Sequence, residues 1–182
     1  MAAAAAQHNR VLTVDHNNRF DPTVVEAHRR IVTGHIGDLI GVDVFHNSEP
    51  PEAPWVTALP SGDWVNDVDH LLYLSEFFLG HLQKVRPAGV RSSDGRVAEL
   101  HVAAENARGW SSLTYSTLTE PFQIRLTLYG SKRTLEVDIL PGIVVERRAL
   151  NLHRWLRKGV TNLDVAAQLI AQSAFNAVRV LT

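Results

Sequence analysis

The sequence contains no cysteine and only one methionine in 182 residues. Without cysteine there are no disulfides, no thiol catalysis and no cysteine-ligated metal site, a composition that fits a cytoplasmic protein. No apolar run reaches the length of a membrane span, so no transmembrane helix is predicted. An excess of one charge is missing too: 18 Lys and Arg stand against 19 Asp and Glu, for a net charge of −1. Nucleic acid and anionic membranes therefore gain little general attraction. The alanine-rich start lacks the basic end and apolar centre of a signal peptide, and residues 1–10 are expected to be a disordered or artificial start. What is present fits one globular domain: 45% apolar and 20% charged residues, and enough chain to bury a core without covalent staples.

In chain order, Val11 to Val14 reads as a short strand and Asp21-Pro22 as a helix start, because Asp caps and Pro suits the first helical position. Val24, Val25, His28, Ile31 and Val32 then recur at helical spacing, and Gly34 and Gly37 end the helix. Leu39 to Phe45 alternates as a strand. Residues 53–80 are the most distinctive stretch. Proline-rich approaches and a Pro60-Ser61-Gly62 turn lead to Asp63, Asn66, Asp67, Asp69 and His70. The apolar run from Leu71 to Leu79 follows, closed by Gly80. A polar cluster at the start of a buried helix holds a titratable group rigidly yet shows it to a ligand. Six further strand-like runs follow, from about Gln83 to Val145, separated by short turns, so antiparallel pairing is expected. Asn162 reads as the cap of a last helix whose apolar face includes Leu163, Ala166, Ile170, Phe175 and Val178 and which stops in mid-element at Thr182. The predicted class is α+β: an open, mainly antiparallel sheet with helices on one face and the other face available for oligomerisation.

Three segments in this order resemble the C-terminal half of the glucose–fructose oxidoreductase / inositol dehydrogenase / MocA (Gfo/Idh/MocA) family. They are VDHNNRFDP (Val14 to Pro22) with the following helix and IVTGHIGDLIGVDV, PWVTALPSGDWVNDVDHLLYLSEFFLG, and LTLYGSKRTLEVD (Leu126 to Asp138). The resemblance implies a substrate and oligomerisation domain of an NAD- or NADP-dependent enzyme acting on a sugar, cyclitol or related hydroxy or carbonyl compound. It implies that His70 is the acid/base histidine, that Arg19 lies near the domain junction, and that the open sheet builds a homo-oligomer. Residues 11–20 would then be a residual strand and junction, and residues 21–182 the α+β domain. Two family features are missing: no G-x-G-x-x-G phosphate loop and no Glu-Lys-Pro occur, so no cofactor-binding residue is assigned within this chain and a nucleotide domain would come from elsewhere. The family commonly places Asp four residues before its histidine and three after. Asn66 and Tyr73 occupy those places here.

Read from residue chemistry, His70 is suited to proton transfer near neutral pH, or else helps cap its helix. Trp64, Asn66, Asp67 and Tyr73 are the neighbouring substrate-binding candidates, with Arg19. Asn66, Asp67, Asp69 and His70 would fan out over different helix faces, so capping rather than metal binding is expected, and no metal site is assigned. His16, Asn17 and Arg19 either meet a ligand or form a polar loop. Trp55 and Trp64 either stack on a sugar ring or pack a loop. Trp110, Tyr115 and Tyr129 are expected on the oligomer surface. The alternative to an oxidoreductase domain is a non-catalytic binding or scaffold module that associates through its sheet.

Overall fold

A computed structural model of the chain describes residues 1–48, 67–93, 95 and 97–181. In chain order it has α1 (Ala2–Gln7), a 3-10 turn (Asn17–Phe20), α2 (Pro22–Val32), β1 (Leu39–Asn47), α3 (Val68–Leu79), β2 (Lys84–Arg91), β3 (Val97–Asn106), β4 (Gly109–Ser116), β5 (Gln123–Gly130), β6 (Arg133–Asp138), β7 (Ile143–Arg148) and α4 (Arg154–Leu181). The strands form one sheet in the order β2-β3-β4-β1-β5-β6-β7. The α+β class and the open sheet match the sequence expectation.

Pairing is antiparallel except in the centre, where β1 runs parallel to β4, with Val44 opposite Leu113 and His46 opposite Tyr115. Adjacent strand-like runs suggest only hairpins. They do not show that β1, separated from the others by α3, enters between β4 and β5. Inward positions alternate along each strand: Val42, Val44 and His46 on β1, Leu113 and Tyr115 on β4, Ile124, Leu126 and Leu128 on β5. All of these except His46 form one apolar core with Val24 and Ala27 of α2 and Leu71, Leu74, Phe78 and Leu79 of α3. The Ser75 hydroxyl donates to that of Ser111 at 2.6 Å inside this core, so neither buried hydroxyl is left unpaired.

Several expectations are corrected. Within the stretch expected to be disordered or artificial, Ala2–Gln7 forms a short exposed helix. Val11 to Val14 is not a strand: it pairs with none of the described strands, and Val11 and Val14 face solvent. Asp21 caps α2 as expected, accepting from the Thr23 backbone N–H at 2.8 Å, with Pro22 in the first turn. The inward face, however, is Thr23, Val24 and Ala27; Val25 and Val32 point outward. Tyr115 belongs to the core, not to the oligomer surface, and bonds the Ser48 hydroxyl at 2.7 Å. Asn162 lies inside α4, which begins two turns earlier at Arg154.

That last helix does not cover the sheet's inner face either. It runs along edge strand β7 and serves it as a substitute strand. Gln168 accepts from Glu146 N–H at 2.8 Å and donates to Glu146 O at 3.0 Å. Gln172 does the same for Val144 at 2.7 and 2.9 Å, and Asn176 donates to the Pro141 and Gly142 carbonyls at 2.9 Å each. Residues four apart share one helix face, so these amides meet successive backbone groups that an edge strand would leave unpaired. Leu163, Ile170 and Phe175 consequently point outward. The opposite edge, β2, is exposed along its whole length and protected by Pro87 and by basic side chains.

Two carboxylates anchor α2 electrostatically. The Glu26 carboxyl is held down at about 2, chiefly by its hydrogen bond from Arg29, with Arg30 adding. Burial opposes ionisation of Glu146, but His35 and Arg133 donate to it and hold it below the usual range. Folded values below unfolded ones mean stability that is present above the ordinary carboxylate range and lost on acidification. Urea midpoints are therefore expected to fall as pH drops from about 5 towards 2, and Glu146→Gln is expected to flatten the fall. A midpoint independent of pH across that window would contradict this.

Candidate functional site

The site forms where the first turn of α3 meets the 3-10 turn and the end of β1. Apolar residues at helical spacing (Leu71, Leu74, Phe78) bind α3 to the sheet and point its N-terminal end at these neighbours. His70 is the third residue of the helix, and its backbone N–H bonds the Asp67 carbonyl at 3.1 Å. Its Nδ1 lies 2.6 Å from the Tyr73 hydroxyl. That hydroxyl accepts from Asn18 N–H and donates to Asn17 Oδ1, both at 3.2 Å. The His16 ring stacks on Tyr73, with centroids 4.4 Å apart and planes 17° from parallel. Burial, above all, pushes the Tyr73 phenol up to about 12, with the Asp69 and Asp15 charges adding and Asn18 and Arg19 opposing, so it stays protonated around neutral pH.

His46 was not read from the sequence as a site residue. The inward alternation of Val42 and Val44 continues to His46, one residue beyond the strand expected over Leu39 to Phe45. His46 is 3% exposed and meets the His70 ring edge-on at 5.6 Å between centroids. Burial pushes its imidazole below the usual range; His70 adds to this, while Asp67 and Asp69 oppose it. Its Nδ1 has no hydrogen-bond partner among the described residues, and neither do Asn18 Nδ2 and Arg19 Nε. Arg19 lies on the 3-10 turn, with its guanidinium 4.6 Å from the Phe77 ring centroid.

The structure thus brings together His70, Tyr73, Asp67 and the 16–19 segment. Tyr73 does so as a partner of His70, since its hydroxyl is engaged by protein groups. Trp64 and Asn66, with Trp55 and Asp63, lie outside the described residues. No group of three or more His, Asp or Glu side chains suited to a metal ion occurs among the described residues.

The described residues around the site do not fit a dinucleotide. A pyrophosphate needs free N–H groups at a helix N-terminus reached by a glycine-rich turn. The first turn of α2 is blocked: Pro22 has no N–H, and the Asp21 carboxylate occupies both the N–H and the hydroxyl of Thr23. The start of α3 carries Asp69, which would repel phosphate.

This sheet, with its parallel β1–β4 pair and the His70 helix packed over it, is the fold of the C-terminal part of Gfo/Idh/MocA-type NAD-binding oxidoreductases. Among solved structures it is similar to an NAD-binding oxidoreductase from Klebsiella pneumoniae, with TM-score 0.68 and 18% identity over 85% of this chain and 47% of that one. It is also similar to the WlbA dehydrogenase from Chromobacterium violaceum, solved with NADH and UDP-GlcNAcA: TM-score 0.65, 16% identity, 91% and 51% covered. A third is a myo-inositol dehydrogenase from Corynebacterium glutamicum: TM-score 0.59, 25% identity, 68% and 39% covered. The chain spans about half the length of the structures it matches. No family model and no curated protein sequence matches it.

Proposed function

We propose that this chain is the substrate-binding and oligomerisation domain of an NAD(P)-dependent oxidoreductase acting on a sugar, cyclitol or related hydroxy or carbonyl compound. The dinucleotide is held by a domain other than the residues described. The observation that carries this reading is the His70–Tyr73–Asn17 chain of hydrogen bonds, which fixes an imidazole on a buried helix beside the segment leading into the domain. His70 exchanges a proton with the substrate oxygen, a task worth about 10²–10⁴-fold in rate when well placed. Asp67 and Arg19 flank it, with Trp64 and Asn66 as further contacts. NAD or NADP is the cofactor that the similar structures suggest.

The open sheet face supports a homo-oligomer. Trp110 packs on Tyr129 there at 5.2 Å between ring centroids and lies over Gly41, where a Cβ would come within 2.2 Å of the indole. A flat aromatic and Thr-rich surface of this kind is suited to a second copy. A second reading is a scaffold that associates through this face without chemistry, and the same Trp110–Tyr129 surface would serve it.

The two separate in a titration of the ¹⁵N-labelled chain with sugars, cyclitols and their keto forms. The oxidoreductase reading expects saturable shifts gathered on His70, Tyr73 and Arg19, abolished in His70→Ala. A panel without such shifts leaves the scaffold.

A further inference from the structure

The Tyr73 hydroxyl carries more information than its role as a neighbour of His70. A phenol has one proton to give and lone pairs to receive. Three groups converge on this one. The Asn18 backbone N–H, at 3.2 Å, can only donate. Asn17 Oδ1, at 3.2 Å, can only accept, so the hydroxyl proton is committed to it. The third is His70 Nδ1, at 2.6 Å, and with its proton spent the oxygen can meet this nitrogen only as an acceptor. The ring must then bring the hydrogen itself.

We propose that Asn17 and Tyr73 together set the tautomer of His70, holding the proton on Nδ1 and leaving the lone pair on Nε2. Both are positioning residues that act through His70. The inference rests on the reading of His70 as the acid/base group and sharpens it: the neutral ring is presented as a proton acceptor at Nε2, ready to take the proton of a substrate hydroxyl. The stacked His16 ring fixes the plane of Tyr73, and so the direction of its hydroxyl. Asn17 and Asn18 lie on the 3-10 turn that leads into α2, so the tautomer is tied to the position of that segment. The charged and titratable groups around the pair are Asp69 and Asp67 at the start of α3, Asp15 and Arg19 on the incoming segment, and His46 on β1. If Asn17 no longer accepted, the phenol proton would be free to turn to Nδ1, and the ring proton would move to Nε2.

The test is a long-range ¹H–¹⁵N correlation spectrum of the full labelled chain at a pH where the ring is neutral, which reports which imidazole nitrogen carries hydrogen. In the unmodified chain, His70 is expected to be protonated at Nδ1. Asn17→Leu, which removes the acceptor, is expected to move the His70 population to Nε2–H. Asn17→Asp, which keeps an acceptor oxygen, is expected to retain Nδ1–H. His70 found as Nε2–H in the unmodified chain, or unmoved by Asn17→Leu in a folded variant, overturns the proposal. Should Asn17→Leu not fold, the unmodified chain and Asn17→Asp still decide it. The readout is a ring nitrogen and not an activity, so the functional reading can fail separately: His70 in the expected tautomer with no response to any sugar or cyclitol would remove the chemistry and leave the positioning intact.

Discussion

Leu74→Ala is expected to cost the domain about 2–5 kcal/mol, read as a fall in the urea midpoint at an unchanged slope. Leu74 is fully buried within the core that α3 shares with the sheet. It is one residue from Tyr73 and one turn along the helix from His70, so it fastens to the sheet the same stretch of α3 that carries them. Truncation removes transfer energy and leaves a cavity that the close-packed sheet beneath cannot collapse to fill. The apolar side of α3 is what holds its polar end in place, so loss of stability should be accompanied by broadening of the His70 and Tyr73 ring signals. A cost below about 1 kcal/mol would mean that α3 is not packed as described.

Asn47→Ala is expected to be nearly as damaging, at about 3 kcal/mol, although it removes only one polar group. Asn47 ends β1 and is 1% exposed. Its Nδ2 donates to the Thr119 carbonyl at 2.5 Å and the Pro121 carbonyl at 2.9 Å, while its Oδ1 accepts from Gln123 N–H at 2.6 Å. One side chain thereby satisfies three backbone groups in the connection that carries the chain from β4 to β5 around the end of β1. Thr119 and Pro121 are exposed and water can reach their carbonyls, so the cost arises from the buried Asn47 side of these bonds and from the Gln123 N–H, at roughly 1–3 kcal/mol together. Asn47→Asp should not rescue it, because a carboxylate cannot donate to the two carbonyls. Full rescue by Asp would show that water, not Asn47, satisfies them.

Much of the fold could be read from period and punctuation. The alternation of Ile124, Leu126 and Leu128, the turn at Gly130, and the apolar run ending at Gly80 each report a local preference that the core reinforces. What could not be read depended on partners distant in sequence. Val11 to Val14 has strand composition but pairs with none of the described strands. Tyr115 and Trp110 lie on one strand with odd spacing between them, so they take opposite faces, and only the register with β1 shows which is inward. The glutamines of α4 look like ordinary polar helix residues until β7 is placed against them.

The site divides the same way. His70 and Tyr73 are three apart, so one helix face is expected to bring them together. The ring of His46 beneath them, and the way Asn17 closes the hydrogen-bond chain across 56 residues, are tertiary facts.

On the proposed reading, His70 of this chain is the acid/base residue and the dinucleotide is held by a domain other than the described residues. The titration that bears on it most directly is followed at the His70 and Tyr73 signals, with NADH in one arm and cyclitols and sugars in the other. The expected result is saturable movement of those signals with at least one hydroxy compound and none with NADH. Tight, saturable NADH binding to the chain alone, or no response of His70 to any hydroxy or carbonyl compound, would contradict it.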